Sequence, residues 1–167
     1  MSGFIASVGK TSDQTLAWYD LSYMATYKEK WEAMSSALNP LINTYSKNSF
    51  QALMKTVKYY GSDDEVEGYS YFGIFDAMDF LKKIDDESSF NSIDTKISEC
   101  KAAFANLVKY NKKGTKAGNS YGLCLYFPML DNSGYCCSSK TYYSATQTNF
   151  TNWRKIVTTY GSDNYLL

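Results

Sequence analysis

The side chains able to do chemistry in this chain are carboxylates, lysines, tyrosines and four cysteines, because its 167 residues include no histidine. A cysteine–histidine dyad, a serine–histidine–aspartate triad and a histidine-ligated zinc are therefore excluded within it. Two carboxylates, Asp76 and Asp79, stand three residues apart in a helix-prone segment. On a helix that spacing makes them neighbours, as a carboxylate acid/base pair would require. It equally suits ordinary capping of a helix N-terminus and interaction with its dipole, which is the role expected here.

The cysteines Cys100, Cys124, Cys136 and Cys137 have neither metal-site spacing nor a C-x-x-C pair. Cys100 falls on a helical stripe and Cys124 in an apolar strand, so both are expected as small core hydrophobes. The vicinal Cys136 and Cys137 close a disulfide only with strain and are read as two thiols. The 16 tyrosines are spread along the chain, as partly buried structural residues would be. The basic stretch Lys109 to Lys116 is diluted by Gly114 and is read as a solvated helix end and loop.

The totals narrow the classes further. Lys+Arg and Asp+Glu are both 17, so the formal net charge is +0 and no long-range pull toward nucleic acid exists. No apolar run approaches the ~20 residues of a membrane span. Met1 to Ile5 lacks the charged-then-apolar pattern of a signal peptide. An apolar content of 44% supplies a core, and 167 residues suit one domain, or one domain with a small appendage.

The elements that must position these residues read as follows. Residues 1–9 resemble the last turns of a helix, with Phe4, Ile5 and Val8 on one face, cut through its middle. Thr15 to Tyr19 reads as a strand buried on both faces, and Asp20 as a cap for the next helix. Met24, Tyr27, Trp31, Met34 and Leu38 draw one apolar stripe, which Pro40 interrupts or kinks. Ser49 opens a second helix carrying Phe50, Leu53, Met54 and Val57. An acidic loop, 62–68, precedes a short helix or strand-to-helix element over Phe72 to Ile84.

A long helix is expected from Ser92 to Asn111, with Ile93, Ile97, Cys100, Phe104, Leu107 and Val108 inward. Tyr121 to Phe127 is the strongest strand, apolar on both faces and stopped by Pro128. A turn at 131–134 and an edge hairpin over 135–143 follow. Phe150, Trp153, Ile156, Val157 and Tyr160 form a terminal stripe that Gly161 ends in the left-handed conformation. Trp153 is expected as a core residue, whose truncation to Ala costs roughly 3–5 kcal/mol if it is fully buried. The fold class is α/β or α+β, helix-rich with a few buried strands. Two such strands are short of sheet partners.

In this order the elements resemble the C-terminal part of the clostripain-family cysteine peptidases. Trp18-Tyr19-Asp20-Leu21-Ser22 is similar to the "IDLS" segment that follows the family's catalytic region. Phe75-Asp76-Ala77-Met78-Asp79-Phe80-Leu81 is similar to its "D-x-x-D-F" helix. Gly122-Leu123-Cys124-Leu125-Tyr126-Phe127-Pro128 is similar to "G-L-S-I-Y-F-P", and Tyr143, Phe150 and Trp153 to its final aromatic series. The resemblance runs from about residue 12 to residue 160.

It implies a caspase-like parent that cuts after Arg or Lys, with its catalytic His and Cys N-terminal to Trp18. No catalytic residue transfers to this chain. Residues 1–22 would end the peptidase core, completing its sheet, and residues 23–167 would form a helix-rich C-terminal domain containing the strand 121–127. The partner would be the remainder of the peptidase chain, with no nucleic acid and no membrane span. The bacterial parent would be exported or held at the cell surface. Some family members need calcium, but Asp63, Asp64, Glu65 and Glu67 lack the alternating ligand spacing of an EF-hand loop, so no cofactor or metal is assigned. As a fragment, the chain would carry an apolar surface along Leu16 to Tyr19 and beside Phe4, Ile5 and Val8. The alternative is a stand-alone peptide- or glycan-binding module with a pocket lined by several of Tyr121, Tyr126, Tyr135, Tyr142 and Tyr143.

Overall fold

The computed structural model of the chain describes residues 15–59, 74–114, 118–127 and 149–161. Of these, 67% are helical, and the strands form two antiparallel pairs. The helix-rich architecture with few strands is thus the one expected, consistent with α/β or α+β. The segments 1–9, 62–68, 131–134 and 135–143, with Asp63, Asp64, Glu65, Glu67, Cys136 and Cys137, lie outside the described residues.

Strand β1 (Thr15–Tyr19) leads into Asp20, whose carboxylate accepts the Ser22 N–H at 3.1 Å and the Ser22 hydroxyl at 2.7 Å. That cap starts a 3-10 turn, Leu21–Tyr23, which runs into helix α1 (Met24–Tyr45). Tyr27, Trp31, Met34 and Leu38 are buried as the stripe requires, and Ile42 extends it. Met24, the first member of the expected stripe, stays 37% exposed. Pro40 does not stop the helix. An interior proline costs about 3 kcal/mol, and burial of Ile42 two residues on offsets much of such a cost. The Tyr160 hydroxyl also donates to the carbonyl of Asn39 at 3.3 Å, beside the proline.

Helix α2 (Lys47–Met54) begins earlier than expected. Its cap is Ser46, not Ser49: the Ser46 hydroxyl accepts the Ser49 N–H at 3.2 Å, and Ser46 has φ 85°. Phe50, Met54 and Val57 are buried, Val57 lying past the helix end.

Strand β2 (Ile74–Asp76) passes directly into helix α3 (Ala77–Asp85), so of the two expected forms the segment takes the strand-to-helix one. A 3-10 segment, Ser88–Ile93, then precedes helix α4 (Asp94–Leu107), which buries Ile97, Cys100, Ala103, Phe104 and Leu107.

Beyond Leu107 the expected helix is replaced by strand β3 (Val108–Lys113). The stretch from Lys109 to Lys113 is therefore a strand paired with β1, not a helix end. Its partner lies far away in the sequence, and cross-strand context decides such segments more than composition does.

The strand expected over Tyr121–Phe127 reduces to β4 (Cys124–Tyr126), paired among the described residues with β2 alone. Gly122, at φ +99°, breaks the extended conformation. Exposure falls along β4 toward the core, leaving Cys124 exposed rather than buried as expected. Cys100 is a core residue, and burial pushes its thiol up to about 12.

Helix α5 (Thr151–Tyr160) ends at Gly161, which is extended (φ −63°, ψ 160°) rather than left-handed. Trp153 sits fully buried at the centre of the molecule. Its ring lies 5.3 Å from Trp31, 5.2 Å from Phe80 and 5.5 Å from Phe75, centroid to centroid. Its indole N–H donates to the Tyr126 carbonyl at 2.9 Å. The condition for the 3–5 kcal/mol truncation cost is therefore met.

Candidate docking surface

The two carboxylates singled out by spacing do come together, as structural ties. Asp76 caps α3, one oxygen accepting the N–H groups of Met78 and Asp79, both at 3.0 Å. Its other oxygen accepts Tyr121 N–H at 2.6 Å and Gly122 N–H at 3.3 Å. Four backbone donors thus hold one fully buried carboxylate, and neither oxygen is presented to a substrate.

Asp79, also buried, accepts the Lys58 N–H at 2.7 Å. Burial raises its carboxyl above the ordinary range, opposed by the Lys58 N–H and by the nearby charges of Lys83 and Lys82. The expected capping role holds for Asp76. Sequence reasoning missed its further reach to Tyr121 and Gly122, which no local pattern encodes.

Of the five tyrosines expected to line a binding pocket, Tyr121 and Tyr126 are among the described residues. Tyr126 is buried in the core, with its carbonyl taken by Trp153. Tyr121 is half-buried; its hydroxyl accepts from the Lys82 ammonium at 2.8 Å, and the Lys113 ammonium lies 5.0 Å from its ring centre. Tyr135, Tyr142 and Tyr143 lie outside the described residues. Among the described residues no three metal-ligating side chains cluster, and no helix is long and apolar enough to cross a membrane.

What stands out instead is the ribbon of β1 and β3. Side chains alternate between its faces. One face carries Ala17 and Asn111, opposite each other in the register, and packs on Gly122. A Cβ on Gly122 would lie 2.6 Å from that of Ala17. The Tyr19 hydroxyl, donating to the Gly122 carbonyl, closes this face. Burial then raises the Tyr19 phenol above its ordinary value.

The other face points outward. Its cross-strand partners are Leu16 with Lys112 and Trp18 with Tyr110. Trp18 is 56% exposed and Tyr110 36%. Just beyond lie Leu21 at 69% and Tyr23 at 36%. Trp18, Tyr19, Asp20, Leu21, Lys109 and Tyr110 line an open groove of about 610 Å³.

The expectation that β1 is buried on both faces is therefore corrected. Trp18 is exposed, because among the described residues only the Gly122 side of the ribbon is covered, and Thr15 is exposed at the start of the strand. Of the apolar surface expected along Leu16 to Tyr19, Trp18 is exposed, and Leu16, Ala17 and Tyr19 are half-buried. Phe4, Ile5 and Val8, expected beside it, lie outside the described residues. Sequence reasoning did not find its other half, Tyr110 and Lys109, because it read those residues as a solvated helix end.

No protein-family model, curated protein or solved structure matches the chain.

Proposed function

We propose that this chain is the non-catalytic C-terminal region of a clostripain-like cysteine endopeptidase, scaffolding a catalytic part that cleaves after Arg or Lys. The observation that carries this reading is the exposed Trp18–Tyr110 face. It lies at the segment, Trp18 to Ser22, that resembles the family's junction with its catalytic region. A chain that buries Trp31 and Trp153 completely leaves its third tryptophan in water. Apolar patches of this kind mark interaction sites.

The lack of histidine agrees with a region that contributes no dyad. The saturation of Asp76 by four N–H donors removes the carboxylate pair as an alternative catalytic group. In this role the chain would place its core helices behind the β1–β3 ribbon and present that ribbon to the catalytic part.

The test is to sequence the transcript upstream of the Met1 codon and to assay the full product on Arg- and Lys-containing peptides. An open frame encoding a strand–His and then a strand–Cys segment, with cleavage after basic residues, is the expected result. A frame without those segments, or a product inert on such peptides, removes the reading.

A further inference from the structure

We draw no further inference here: the strongest candidate, the outward Trp18–Tyr110 face of the β1–β3 ribbon, carries none, because nothing among the described residues shows what covers it.

Discussion

The carboxylate of Glu32, in the middle of α1, accepts the backbone N–H of Trp153 in the first turn of α5 at 3.3 Å and that of Asn152 at 2.8 Å. Helix α5 has no side-chain cap of its own: Phe150, at its cap position, offers no acceptor. Its orphan donors are satisfied by a residue 121 positions earlier, and the negative charge complements the helix dipole.

Glu32→Ala should lower stability by about 1 kcal/mol, as loss of a cap does, measured by urea unfolding. Glu32→Gln keeps an acceptor oxygen and should fall between the two. An alanine variant as stable as the parent would show that water caps α5 equally well.

Tyr27→Phe should leave stability unchanged or raise it by up to about 1 kcal/mol. The Tyr27 hydroxyl is buried without a hydrogen-bond partner, and burying an unsatisfied hydroxyl costs free energy. The ring itself packs on Trp31 and Phe104, at 5.9 and 6.1 Å, and phenylalanine keeps those contacts. A loss above about 1 kcal/mol in thermal or urea unfolding would mean that the hydroxyl is satisfied in solution.

Gly122→Ala should be destabilising for two separable reasons. The residue sits at φ +99°, which side chains rarely adopt, and its new Cβ would meet that of Ala17 at 2.6 Å. The backbone term alone is about 1–3 kcal/mol. Adding Ala17→Gly should remove the contact and recover part of the loss, leaving the φ penalty. No recovery in the double variant would place the whole cost in the backbone.

Asp79 gives a pH dependence of definite sign. Its carboxyl is raised in the folded chain, mainly by burial, so the folded state holds the proton more tightly than the unfolded one. Its contribution to stability is full below the unfolded value, about 3.9, and is lost as pH rises through the folded value. Asp79→Asn, which does not titrate, should therefore gain on the parent as pH rises from about 3.5 to 7. Asp20 and Glu87, whose carboxyls are lowered by Ser22 and by Ser89 and Tyr45 respectively, have the opposite dependence but cancel in the difference. Urea unfolding of both proteins across that range reads it. A flat or falling difference would show that Asp79 is not desolvated.

Local periodicity was sufficient wherever a helix buries one face. Tyr27, Trp31, Met34 and Leu38 were legible as a stripe, and so were Trp153, Ile156, Val157 and Tyr160, because three- and four-residue spacing carries its own signal. β3 was not legible. Val108-Lys-Tyr-Asn-Lys-Lys113 looks polar and helix-compatible, and what makes it a strand is β1, with Thr15 set opposite Lys113.

The same gap hid half of the docking face. Trp18 was visible as part of an apolar run, whereas Tyr110 joins it only through strand register. At Gly161 and Ser46 the local rule named the right neighbourhood, but the residue or its conformation differed. Both lie at helix ends, where boundaries are set by one or two bonds.

The bond from Tyr19 to Gly122 spans 103 residues, and this has a consequence for biosynthesis. At about 5–20 residues per second a ribosome needs roughly 5–20 s to deliver Gly122 after Tyr19 has been made. Throughout that interval β1 lacks the glycine that Ala17 packs against, and for most of it, until Val108–Lys113 is made, its strand partner as well. Both faces of Thr15–Tyr19, not only the outward one, are then bare on the nascent chain. The segment that ends as a half-covered ribbon begins as a naked apolar strand, the kind of site where holdase chaperones engage.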